Sequence, residues 1–195
     1  MPKKYSETEK TNIRRDLRRA AQRSLFHKGV RGTSVEDLVR QAAIPKATFY
    51  LFYRTKEDLY IDVLTDFRTT MQDEMLSMLQ ELDENHIVSS LTTVFMHLVE
   101  NIYRKGIYRL LAEDELAVAT RKSEVDVVRR EEDELIAFFR ELFGFFAIED
   151  KDDIAAFWSA FLAIVYSMEG AERMEKPLES WRLLIRGLML QLVGE

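Results

Sequence analysis

Lys46, Ala47 and Thr48 stand directly behind the turn-forming residues Ala43, Ile44 and Pro45, and Tyr50, Leu51 and Lys56 follow within ten residues. These side chains suit recognition of duplex DNA. A lysine donates to a guanine edge or a phosphate, a small alanine allows close approach or touches a thymine methyl, and a threonine serves a phosphate or a base edge. Upstream, Thr33 and Ser34 combine hydroxyls with the free N–H groups expected at a helix start, which favour an anion. The reading is that Lys46, Ala47, Thr48 and Leu51 face bases, while Thr33, Ser34, Tyr50 and Lys56 hold backbone phosphates.

Such side chains work only if short helices carry them. Residues 33–56, T-S-V-E-D-L-V-R-Q-A-A-I-P-K-A-T-F-Y-L-F-Y-R-T-K, read as two helices joined by a tight turn. Thr33 with Glu36, or Ser34 with Asp37, fits a capping box, and Val35, Leu38, Val39 and Ala42 form an apolar stripe. Ala42, Ala43 and Ile44 are small and apolar enough for a close crossing. A third helix spans about 46–52, with Pro45 near its first turn, where a missing N–H costs little. Phe49 and Tyr53 should anchor it inward. Ahead of these lies a basic amphipathic helix over about 9–28, ended by Gly29. Behind them a helix from Thr55 runs some 28 residues on Leu59, Val63, Phe67, Met71, Met75, Met78 and Leu82.

At this point the chain resembles the tetracycline-repressor (TetR) family of bacterial transcriptional regulators. Ala20, Ala21, Gly29, Thr33, Ser34, Val35, Leu38, Ala42, Thr48, Phe49, Tyr50, Lys56 and Leu59 match the family's N-terminal pattern in register, over roughly residues 14–64. The departures are Ser24 for a core leucine, Ala43 for the turn glycine, Pro45 for a serine or threonine, Ala47 for a glycine and Leu51 for a histidine or tyrosine. They bear on sequence preference more than on fold. Alanine at 43 would be strained at positive φ, so a locally different turn is an alternative. The resemblance implies a homodimeric, ligand-responsive regulator, a repressor in its usual form, that binds a palindromic operator and is released by an effector.

The charge distribution agrees with that division. Residues 1–60 hold 14 Lys/Arg against 7 Asp/Glu, a balance of +7, whereas residues 61–195 hold 14 against 27, a balance of −13. A basic head on an acidic body is expected when only the head meets phosphate, although a merely solvated basic helix would look the same. With 3 Pro, 7 Gly and no long alternation of apolar and polar residues, the fold class is all-α: a three-helix head over residues 1–56, and a helical ligand-binding and dimerisation body over 57–195, about nine helices in all. The later helices are expected near 86–104, 107–119, 123–146, 152–173 and 178–193.

Residues 154–168 and 181–193 are apolar almost all round, as in helices buried on more than one side. Two such helices from each of two subunits can form a four-helix seam, and the resemblance implies dimerisation through the last two long helices. The interface candidates are Phe157, Trp158, Phe161, Val165, Trp181, Leu184 and Leu188. A cavity is expected between the long fourth helix and those after it. Its candidate walls are Phe95, Val99, Ile102 and Tyr103, then Leu110 and Leu111, then Phe138, Phe139, Leu142, Phe161 and Tyr166. An apolar and aromatic lining suits a small lipophilic effector. Glu113, Asp114 and Glu115, and the run at 131–134, read as solvated acidic faces.

Other chemistry lacks a signature. There is no cysteine, hence no disulfide or thiolate metal site. His27, His86 and His97 have no metal-ligand spacing, and the single Asp83/His86 pair reads as a helix cap. No phosphate loop, nucleophile elbow or dinucleotide fingerprint is present, so neither metal nor cofactor is expected. The N-terminus lacks an apolar signal region, and the longest apolar stretch is about 13 residues against the roughly 20 needed to span a bilayer. A cytoplasmic protein without membrane contact is expected. The alternative from another class is an all-helical enzyme or lipid-binding module without specific DNA binding.

Overall fold

The computed structural model describes residues 5–112, 126–144 and 151–193, and among them all regular structure is helical. Nine α-helices follow in order: α1 Glu7–Lys28, α2 Val35–Gln41, α3 Lys46–Phe49, α4 Lys56–Gln80, α5 Ile87–Arg104, α6 Tyr108–Ala112, α7 Asp126–Gly144, α8 Lys151–Ser167 and α9 Pro177–Val193. They sort into two compact units. The head contains the chain up to Asp66 and the stretch beginning at Lys105; the body contains Phe67–Arg104 and the stretch from Asp126. The acidic cluster Glu113, Asp114 and Glu115 lies outside the described residues, as do the side chains of Glu131 and Glu132.

The head extends past residue 56 because the first part of α4 is built into it. Leu59, Tyr60 and Val63 of α4 are buried in this unit, as are Leu17, Ala20, Ala21 and Leu25 of α1, Leu38 and Val39 of α2, and Phe49 of α3. α1 starts two residues before the expected position, because Ser6 and Glu9 form a reciprocal cap. The Ser6 hydroxyl accepts from the Glu9 N–H at 3.2 Å, and the Glu9 carboxylate accepts from the Ser6 N–H at 2.8 Å. Ser24, the departure from a core leucine, is buried and accepts a hydrogen bond from the Gln41 amide at 2.8 Å, so α1 and α2 meet there through a polar contact. Gly106 sits at φ +70° after α5. A Cβ there would come within 3.0 Å of the Phe26 Cα, so both the backbone conformation and the space call for glycine.

The body is organised by aromatic packing. Phe95 of α5 lies 5.7 Å from Phe139 and 6.2 Å from Phe143 of α7, and 5.2 Å from Phe157 of α8, between ring centroids. α9 lies along α5. Its Trp181 packs edge-on against Tyr103 at 5.0 Å and donates its indole N–H to the Ser167 hydroxyl at 2.9 Å. Where an α-helix was expected to continue to 173, residues Met168–Arg173 form 3₁₀ turns. By length and composition the stretch Ile154–Arg173 could cross a membrane, which corrects the shorter count made from the sequence. A core helix has the same composition, and Ile154, Phe157, Phe161, Ile164, Val165 and Met168 are buried inside the chain.

Candidate nucleic-acid interface

The turn between α2 and α3 sets the geometry. The Ile44 N–H donates to the Val39 carbonyl at 3.0 Å and the Ala43 N–H to the Arg40 carbonyl at 3.3 Å, the paired bonds of a Schellman cap. Ala43 occupies its left-handed position at φ 54°. The turn therefore keeps the glycine-type conformation, and the alanine carries the strain. Ala43 is also exposed; Ala42 and Ile44 make the close approach.

α3 is one α-helical turn, shorter than the sequence suggests, and continues through turn bonds such as Leu51 N–H to Thr48 carbonyl at 3.1 Å. Pro45 offers it no side-chain cap. A helix this short has little stability of its own, so tertiary contacts must hold it. Phe49 is fully buried beside Tyr53, 5.8 Å between centroids. Thr48, expected to face bases, is 5% exposed, and its hydroxyl is hydrogen-bonded to that of Tyr5 at 3.0 Å. The half-buried Phe52 ring lies 6.4 Å from the Tyr5 ring and 5.7 Å from the Arg14 guanidinium carbon.

Below these residues is a polar latch. Arg18 of α1 donates to both carboxylate oxygens of Asp62, at 2.8 and 2.7 Å, and to Asp66 at 2.5 Å. The Tyr53 hydroxyl donates to Asp62 as well. Burial pushes the Asp62 carboxyl up, but the bonds from Arg18 and Tyr53 outweigh it and hold the group below the usual carboxylate range. Burial, then the bond to Asp62, pushes the Tyr53 phenol upward.

The phosphate candidates divide. Thr33 is 2% exposed and donates its hydroxyl to the Gly29 carbonyl at 2.7 Å, so this side chain fastens the loop rather than facing outward. Ser34 is the N-cap of α2: its hydroxyl accepts from the Asp37 N–H at 3.1 Å, which uses the hydroxyl for the helix end. Lys56 donates to the Val30 and Thr33 carbonyls at 2.8 and 2.7 Å, leaving one of its three N–H donors. The outward face consists of Pro45, Lys46, Ala47, Tyr50 and Leu51, with Arg54 beyond them. Tyr50 and Leu51 are 51% and 63% exposed. Sequence reasoning passed over Arg54, an exposed cation beside the aromatic cluster. It also passed over Tyr5, because nothing local connects that residue with one 43 positions later. Lys46 is paired with Glu36 of α2.

Residues 17–63 match the family described as bacterial regulatory proteins, tetR family. Over its head, this chain is similar to the TetR family. An HTH-type transcriptional regulator, YdgC, from Bacillus subtilis (strain 168) is 27% identical over 94 residues, covering 45% of this chain and 48% of that relative's own length. Two solved structures share this fold through the body as well as the head. The fatty acid degradation regulator FadR from Bacillus halodurans superposes with TM-score 0.68 at 15% identity, covering 98% of this chain and 97% of its own. The regulator FadR from Bacillus subtilis, solved in complex with stearoyl-CoA, gives TM-score 0.64 at 14% identity, covering 92% and 97%. The matching family and the relative from Bacillus subtilis are both described as transcriptional regulators.

In the body the expected pocket and interface residues also divide. Phe95, Val99, Ile102, Phe138, Phe139, Leu142 and Phe161 are buried in one core. Tyr103 is half-buried against Trp181. Leu110 and Leu111 belong to the head unit. Tyr166, a candidate wall residue, is 50% exposed. Of the interface candidates, Phe157, Phe161, Val165 and Trp181 are buried within the chain itself. Helical periodicity explains this: Trp181, Ile185 and Met189, four apart, line the inner face of α9. Leu184 is exposed, Trp158 and Leu188 are half-buried, and Leu183, Leu190 and Tyr166 complete an outward apolar surface on α8 and α9.

Proposed function

We propose that this protein is a ligand-responsive transcriptional regulator, a repressor in the usual mode of its family, that binds a palindromic operator as a homodimer. The observation that carries this reading is the outward face of α3. Lys46, Ala47, Tyr50 and Leu51 are exposed on a helix whose other residues are committed to the head's own fold. A cation, a small residue, a phenol and an apolar side chain on one projecting turn suit the major groove and its phosphate walls. Lys46, Ala47 and Leu51 would meet bases, and Tyr50, Arg54 and the remaining donor of Lys56 would meet phosphates. The outward apolar surface of α8 and α9, with Leu183, Leu184 and Leu190, supports pairing of two copies, which matches two recognition helices to a two-fold site.

The effector is a small lipophilic molecule. Long-chain acyl-CoA is the first candidate, because a regulator of the same fold is solved with stearoyl-CoA and the body core here is apolar and aromatic.

Fluorescence anisotropy with fragments flanking the gene tests the reading. The expected result is specific binding that weakens as salt rises, a dimer by light scattering, and release by stearoyl-CoA but not by CoA alone. Lys46→Ala should weaken binding and alter base preference, and Tyr50→Phe should weaken binding to every sequence alike. If no fragment binds and the protein is a monomer, the reading is wrong.

A further inference from the structure

We propose that Glu36 is a specificity-determining residue, and that it and Lys46 together read one G·C base pair in each half of the DNA site. This inference rests on the DNA-binding function above. Glu36 lies in the first turn of α2 and Lys46 opens α3, and the turn brings the two side chains into an ion pair. Both remain in water, with side chains 61% and 51% exposed.

An acid on this face calls for an explanation. The neighbouring carboxylates have structural work: Asp37 caps α2, Asp58 bonds the Thr55 N–H at the start of α4, and Asp62 holds Arg18. Glu36 caps no other residue: within the first turn of α2 its carboxylate is bonded only to its own backbone N–H, and an exposed ion pair adds little to stability. On a surface that approaches phosphate, a carboxylate also reduces general affinity. What remains is recognition. The pair fixes the flexible Lys46 ammonium in one place, and each partner keeps capacity to spare: two further N–H donors on the lysine and further lone pairs on the glutamate carboxylate.

The major-groove edge of a G·C pair offers the matching order. Guanine presents two acceptors, N7 and O6, and cytosine presents its N4 amino donor beside them. An ammonium over the guanine and a carboxylate over the cytosine are both satisfied. On an A·T pair in the same orientation the order reverses: the adenine N6 amino group meets the ammonium and the thymine O4 meets the carboxylate, and both contacts are unfavourable; a T·A pair keeps the order but puts the thymine methyl where guanine N7 stood, so the ammonium loses one acceptor. Glu36 thereby turns a lysine that would accept any phosphate into half of a base-pair reader. The expected discrimination at that position is roughly tenfold or more.

The test is selection from a randomised duplex library with the full-length chain, followed by anisotropy titration of the selected site and its single-position variants. Wild type, Glu36→Ala, Glu36→Gln and Lys46→Ala are compared, with circular dichroism confirming that each is folded. The wild-type motif should require G·C at one position in each half-site. Glu36→Ala should relax that position about tenfold, leave the other positions unchanged and bind unrelated DNA more tightly. Lys46→Ala should alter the same position. A Glu36→Ala motif identical to wild type, or an altered position different from that of Lys46→Ala, overturns the inference and leaves the regulator reading standing. A wild-type chain that selects no motif overturns both.

Discussion

The head and the body are held together by different kinds of contact. In the head, directional polar contacts fix how the helices meet: Arg18 with Asp62 and Asp66, Tyr53 with Asp62, Gln41 with Ser24, and Tyr5 with Thr48. In the body, the dominant contacts are phenylalanine rings stacked and edge-on around Phe95. Ring packing contributes a large free energy but tolerates rearrangement, whereas a bidentate guanidinium–carboxylate pair tolerates one geometry. A unit that must present one turn of helix at a set angle gains from the second kind of contact. A unit proposed to admit a lipophilic molecule gains from the first.

The largest effect expected from breaking either kind lies in the body. Phe95→Ala removes the ring at the centre of the cluster and should cost about 3–5 kcal/mol, read as a lower urea midpoint for the body's unfolding. Asp62→Ala leaves Arg18 with Asp66 alone and removes the acceptor of the Tyr53 hydroxyl. Its cost should be about 2 kcal/mol, below that of a fully buried pair because 27–30% of these side chains is still in water. If Phe95→Ala proved the milder of the two, the contrast between the units would fail.

The two units should also respond differently to acid. Asp62 is held below its ordinary carboxylate pKa in the fold, so its contribution is full above about pH 4 and is lost as pH falls through the depressed value. Thermal melts between pH 7 and pH 3 should show this acid sensitivity in the wild-type head, and Asp62→Asn should remove much of it. A wild-type and an Asp62→Asn head with parallel pH profiles would remove the latch from the account.

Ala43→Gly should stabilise the head by about 1 kcal/mol, because glycine adopts the left-handed turn without the Cβ penalty. A melt unchanged or lowered by the substitution would show that Ala43 is not strained. The smallest effect is expected for Arg40→Ala on the exposed face of α2. The Arg40 side chain is 74% exposed, so its pair with Asp37 is screened by solvent, and the melting temperature should not move measurably.

Much of the head could be read from the chain because its signals are local. A capping pair three residues apart, an apolar stripe at helical spacing and a glycine-like turn all lie within a few residues of one another, and they identify α1, α2, the turn and the inward position of Phe49 and Tyr53. The roles of Thr33, Thr48 and Lys56 could not be read in this way. Each is a residue type that could face DNA, and each instead bonds a group of the head itself: Thr33 the nearby Gly29 carbonyl, Thr48 the distant Tyr5, and Lys56 the distant Val30 and Thr33 carbonyls. The apolar helices α8 and α9 posed the same difficulty. Apolar residues all round say that two faces are covered, not which face the chain itself covers.

The sequence by itself determined the all-helical class, the helix-turn-helix, the charge division between head and body, and the family resemblance, since these depend on residue type and short-range spacing. Tertiary structure decided which side chains on α3 point outward, that Ala43 takes a positive φ, that Trp181 and Phe161 face inward, and that Glu36 meets Lys46. Apart from the Ala43 turn, which is local, those outcomes depend on contacts between residues from 10 positions apart, as in Glu36 and Lys46, to 78, as in Tyr103 and Trp181, and only the packed chain brings such residues together.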